Sequence, residues 1–165
     1  MRSSLWLVLS AIIFSSCSTT PPYVYRYVPG KTATLQNGYA IAPHSAPPEV
    51  HSAIAAGNRI AGLPYRIGGG HTNSFDHSYD CSGATSFVLM ASGRMKSPAP
   101  SSYFRRYGEK GHGEWISVYA RKGHVFLVVA GLRFDTGWAE GPRGPKWTKK
   151  SRPASGYVVR HPPGL

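Results

Sequence analysis

The chain has 165 residues, with 19 lysines and arginines against 7 acidic residues and a formal net charge of +12. That length is enough for one domain with a real core, and a charge of this sign favours anionic partners through long-range attraction. The basic residues are nevertheless scattered, Arg105, Arg106, Arg143, Lys149 and Arg152 among them, and no nucleic-acid-binding motif accompanies them, so nucleic acid is not the expected partner.

The first element is a short export-like segment. Met1-Arg2-Ser3-Ser4 gives one positive charge, and the apolar run from Leu5 to Phe14 is too short to span a bilayer core. Ser15-Ser16-Cys17 then places small residues before a cysteine. This resembles the lipobox of bacterial lipoproteins, with Phe14 where leucine is more usual, and implies a signal peptide over residues 1–16 and lipid on Cys17. No later segment is long and apolar enough to cross a membrane. Residues 17–47 read as the lipidated N-terminus followed by a proline-rich tether, bracketed by Pro21-Pro22 and Pro47-Pro48, with a short strand allowed by the alternation Tyr23, Tyr25, Tyr27.

The domain proper is expected over residues 48–165. Pro48 to Ala61 reads as a first helix, with proline at its start, Glu49 in the first turn and Val50, Ile54 and Ile60 on one face. Leu63 to Gly70 is an extended piece ending in a glycine-rich turn, and a polar loop runs from His71 to Tyr79. Cys81 to Ser92 is the second helix, capped by Asp80 and stopped by Gly93. Beyond the loop Gly108 to Gly113 the pattern turns to strand: Trp115 to Tyr119, then His124 to Ala130 as a near-continuous apolar strand, then Leu132 to Thr136 after an Ala130-Gly131 turn, and Tyr157 to Arg160 near the end. Helices first and strands last predict an α+β fold with a mostly antiparallel sheet.

With Cys17 destined for lipid, Cys81 is left as a lone thiol at a helix start. Unpaired N–H groups and the helix dipole favour thiolate there, so Cys81 is a candidate nucleophile, against the alternative of an inert buried cysteine. Its base should be a histidine. Of the seven in the chain, His124 begins the strongest strand directly after Gly123, a rigid place from which to aim an imidazole. The orienting group must accept a proton from the second ring nitrogen. Asp135 lies one hairpin further on, and Thr136 takes its place if the register slips by one residue.

These residues resemble the NlpC/P60 cysteine peptidases, bacterial cell-wall hydrolases with a reduced papain-like fold. The matching pieces are Pro64-Tyr65-Arg66-Ile67-Gly68-Gly69, Asp80-Cys81-Ser82-Gly83 and Gly123-His124-Val125, in the family's order. The resemblance implies a catalytic Cys81–His124 pair, with Tyr65 lining the site and Asp80 and Ser82 touching substrate. It implies peptidoglycan stem peptides as substrate, cut between D-glutamate and the diamino acid, with no cofactor and no metal. With the lipobox it implies an exported, membrane-anchored protein facing the cell wall, on the outer membrane where the host has one, since Ser18 rather than aspartate follows Cys17. The chain departs from the family in its longer loop bearing His71, Asp76 and His77, in having Asp135 or Thr136 where a third histidine is common, and in the segment Gly141 to Trp147.

Three other readings use the same residues. His71, Asp76 and His77 have the chemistry of zinc ligands, though not the spacing of a helical metal motif. A non-catalytic wall-binding lipoprotein would use the charge and the aromatics Trp115, Trp138 and Trp147. A cysteine amidase or acyltransferase would keep the chemistry and change the acceptor.

Overall fold

The computed structural model describes residues 19–72, 74–137 and 143–165. The expected signal peptide, Cys17 and Trp138 lie outside the described residues. The chain forms a hairpin of β1 (Thr34–Gln36) and β2 (Tyr39–Ile41), then helices α1 (Pro48–Ile60) and α2 (Cys81–Ala91). The strands β3 (Glu109–Lys110), β4 (Ile116–Arg121), β5 (His124–Val129), β6 (Leu132–Asp135), β7 (Lys146–Thr148) and β8 (Val158–His161) complete it. These six form one sheet in the order β3-β8-β4-β5-β6-β7, with every neighbouring pair antiparallel. The architecture is the α+β arrangement expected, with helices leading and packed on an antiparallel sheet.

Each helix starts where its local chemistry dictates. Pro48 occupies the first turn of α1, where a missing N–H costs nothing, and Glu49 follows it. Asp80 caps α2, its carboxylate accepting the Gly83 N–H at 2.7 Å. Val50, Ala53, Ile54 and Ile60 of α1 and Ala84, Val88 and Leu89 of α2 are buried against Val125, Leu127, Val129, Leu132 and Phe134 of the sheet. Trp147 joins them, its ring centroid 4.6 Å from that of Phe134. The α2 helix lies along β5, the central strand, and α1 reaches β7 at the sheet edge.

The other sheet face carries a smaller cluster of Tyr119, Phe126, Ala154 and Tyr157, with Phe126 stacked on Tyr119 at 4.7 Å. Pairing is set by two hairpins. Lys122-Gly123 turns β4 into β5, with Gly123 at φ +79°, a conformation costly for any residue with a side chain. That requirement explains the glycine before His124. Ala130 and Gly131, both at positive φ, turn β5 into β6.

The reading of residues 17–47 as a tether is corrected by the structure over the part it describes. Tyr23 is buried, pairs both ways with the Arg152 backbone (N–H to carbonyl 2.8 and 3.0 Å), donates its hydroxyl to the Gly131 carbonyl at 2.9 Å, and accepts from the Arg133 N–H at 3.2 Å. Ala33 and Ala40 lie in the main core. The alternating tyrosines form no strand beyond the single bridge at Tyr23. Proline had suggested a spacer, but buried apolar residues and satisfied backbone groups hold the segment on the domain. Trp147 is likewise no binding platform: it is 3% exposed, filling the space over Gly57.

Candidate active site

The start of α2 and the start of β5 meet. Cys81 is the first residue of α2, a free cysteine 9% exposed. Among the described residues no acceptor takes the N–H groups of Cys81 and Ser82, as expected in a first helical turn. The His124 imidazole hydrogen-bonds Asp135 and lies near enough to Cys81 for the thiol to weigh on its protonation. Its Nε2 donates to Asp135 Oδ1 at 2.9 Å, which leaves Nδ1 as the nitrogen available to the sulfur. Burial disfavours the imidazolium, yet the Asp135 hydrogen bond, then the neighbouring Cys81 side chain and the charges of both, outweigh it and hold the His124 pKa above the ordinary histidine range.

Register decides between Asp135 and Thr136. The β5–β6 ladder pairs Leu127 with Phe134 and Val128 with Arg133. Extending it sets Asp135 opposite Phe126, on the same face as His124 and diagonal to it, and turns Thr136 to the other face. Thr136 is buried, and its hydroxyl has no partner among the described residues. Its backbone N–H instead donates to Asp135 Oδ1 at 2.8 Å.

Asp135 is held from behind by two arginines. Arg152 Nη1 donates to Oδ2 at 2.7 Å, and Arg133 Nη1 lies 3.3 Å from the same oxygen. Both arginines and Asp135 are nearly inaccessible to solvent. Little in the sequence marked them. Arg133 sits between apolar neighbours in a strand, which was the one available signal of a buried charge, and Arg152 lay in a Ser-Arg-Pro stretch without a motif.

Cys81 is placed by a second network, around Asp80. Its Oδ1 takes the Gly83 N–H and the Ser82 hydroxyl (2.9 Å) and meets His71 Nε2 at 3.1 Å, while Oδ2 takes the Gly68 N–H at 2.8 Å. Burial would raise this carboxyl, but the Gly83 and Gly68 N–H groups, then Ser82 and His71, together hold it below the ordinary carboxylate range. His71 Nε2 also lies 3.1 Å from the Ser82 hydroxyl. A Cβ on Gly83 would collide with the Gly69 carbonyl, so glycine is what lets the turn of residues 68–70 seat against the helix start. Asp80 and Ser82 are thus tied into the scaffold beside Cys81. Tyr65, half-buried, stands close enough that, after burial, the charges of Cys81 and Asp80 help to raise its pKa.

His71, Asp76 and His77 do not converge. His71 is taken up by Asp80 and Ser82, while Asp76 accepts from the Gly70 N–H at 3.0 Å and pairs with Arg66 at 3.2 Å. Among the described residues no group of three or more His, Cys, Asp or Glu side chains could hold a metal ion.

No family model matches the chain, and no curated protein matches it. Among solved structures, two variants of the resuscitation promoting factor interacting protein RipA are similar to it, one mutated at a cysteine and the other at a histidine. Each is 21% identical with a TM-score of 0.46, over 79% of this chain and 72% and 71% of theirs respectively.

Proposed function

We propose that the protein is a cysteine peptidase of the NlpC/P60 type that hydrolyses peptidoglycan stem peptides. The observation that carries the reading is the nearness of Cys81, at the start of α2, to an imidazole at the start of β5 whose Nε2 is fixed 2.9 Å from a buried carboxylate. A thiol, a base and an orienter in that order are what nucleophilic acyl transfer requires.

In the proposed reaction the Cys81 thiolate attacks the scissile carbonyl, forming the carbon–sulfur bond and pushing the carbonyl electrons onto oxygen. The unpartnered N–H groups at the α2 start supply donors for that oxyanion. The His124 imidazolium, favoured by Asp135, gives its proton to the leaving amine as the carbon–nitrogen bond breaks. His124 then takes a proton from water, which attacks the thioester and releases the acid and the thiol. Asp135 keeps the ring in place through its hydrogen bond to Nε2. Tyr65 borders the cleft, and Asp80 and Ser82 hold the nucleophile end while offering the polar edge that a substrate amino group or backbone would meet.

The bond between D-glutamate and the diamino acid is the proposed cleavage point, and the basic domain suits acidic stems. Lipid on Cys17 would place the domain at a membrane facing the wall, with the signal peptide of residues 1–16 removed. Muropeptide analysis tests the reaction: the wild-type chain should release new stem-peptide fragments from purified peptidoglycan, and Cys81→Ala, folded normally, should release none. Digestion by that variant at the wild-type rate would end the proposal.

A further inference from the structure

Resting on the cysteine–histidine reading, we propose that Arg152 is a positioning residue that acts on His124 through Asp135, and that the N-terminal segment, by pairing with Arg152, belongs to the support of the active site.

The two oxygens of Asp135 are divided between two tasks. Oδ1 faces the chemistry, accepting from His124 Nε2 and the Thr136 N–H. Oδ2 faces the scaffold, accepting from Arg152 Nη1 at 2.7 Å with Arg133 Nη1 at 3.3 Å. A carboxylate held at one oxygen by a buried guanidinium is restrained from rotating away from the imidazole at the other. Arg152 is itself fully fixed. Nη1 also donates to the Gly137 carbonyl at 3.0 Å, Nη2 donates to the Tyr157 hydroxyl at 2.8 Å, and the guanidinium lies 4.9 Å from the Phe126 ring centroid. A side chain with this many constraints transmits position rather than mere charge.

The cluster also holds more positive charge than a structural ion pair needs. One buried arginine would neutralise Asp135, whereas the chain buries two and a histidine beside it. Burying the extra charge is costly, and what it secures is a carboxylate held in one orientation. Tyr23 ties the arrangement together, since its backbone pairs with that of Arg152 while its hydroxyl links the Gly131 carbonyl to the Arg133 N–H. The same N-terminal residue therefore braces both arginines.

The test follows iodoacetamide alkylation of Cys81 in the full chain, read by mass spectrometry on the peptide carrying it, over a range of pH. Wild-type Cys81 should react faster at neutral pH than free cysteine. Arg152→Met should slow this about tenfold to a hundredfold, the scale expected for misplacement by about an ångström, and shift the profile toward that of an ordinary thiol. Arg152→Lys, which keeps the charge and loses the planar guanidinium that joins Asp135 to Tyr157, should fall between the two. In an Asp135→Asn background, which with Arg152→Met removes both charges of the pair, the arginine change should have little further effect. A wild-type profile in Arg152→Met overturns the inference, as do effects of the two changes that simply multiply. If Arg152→Met does not fold, a wild-type profile in Arg152→Lys overturns it instead. Wild-type Cys81 no faster than free cysteine would bring down the proposed function, and this inference with it.

Discussion

The two faces of the six-stranded sheet are built from opposite materials. The helix side is aliphatic and aromatic, with Val125, Leu127, Leu132, Phe134 and Trp147 packed under α1 and α2. The other side carries His124, Arg133 and Asp135 among Tyr119, Phe126 and Tyr157, closed over by Arg152. Alternation along β5 and β6 sorts one set from the other. The helix side holds the fold by area removed from water. The charged side holds through directed hydrogen bonds and ion pairs around Asp135, so it is specified by geometry and not by hydrophobicity.

Three substitutions sharpen that contrast. Asp135→Ala should have the largest effect, about 3–5 kcal/mol by chemical denaturation, because it leaves buried guanidiniums without their carboxylate. It should also abolish peptidoglycan digestion. A loss no greater than that of a surface change would show that the charged face is not organised around this carboxylate. Trp147→Ala should cost a comparable or slightly smaller amount, about 3–5 kcal/mol as a large-to-small core change, but Cys81 alkylation per folded molecule should keep its wild-type pH profile. A shifted profile would mean that the two faces are not independent.

Asp80→Ala should be the mildest, about 0.5–2 kcal/mol as the loss of a helix cap. Its pH dependence has a definite sign. The folded carboxyl titrates below the ordinary range, so its contribution is whole above about pH 4, shrinks as pH falls below that, and is gone once pH has passed the folded value. The stability gap between wild type and Asp80→Ala should therefore close on acidification. A gap that stays constant down to strongly acidic pH would refute the assigned role.

What could be read from the sequence divides along the same line. The helix boundaries, the Asp80 cap, the Ala130-Gly131 turn and the central β5 strand were all legible, because proline, glycine and apolar periodicity act locally. Cys81 and His124 were legible as a pair, since a thiol at a helix start and an imidazole at a strand start each carry a local signal. Asp135 was favoured over Thr136 from hairpin pairing alone, but which of the two shares the His124 face depends on a register that only the assembled hairpin sets. Arg152 was read as one scattered surface cation among many, and its burial comes from a partner 17 residues away. β7 was missed because Gly141 to Pro145 hid the three residues Lys146–Thr148 behind loop signals. The β1–β2 hairpin was a readable feature passed over: Asn37-Gly38, both at positive φ, is a strong turn signal that the surrounding prolines obscured.

The docking of Tyr23 sets how far the molecule can roam. Only six backbone steps separate Cys17 from Tyr23, a span of about 20 Å at full stretch. With lipid on Cys17, as proposed, the domain hangs on a short leash and skims the bilayer surface. A wholly free stretch from Cys17 to Pro47 would have let it range several times farther. Such a hydrolase would patrol only the layer of wall nearest its own membrane and leave more distant strands uncut.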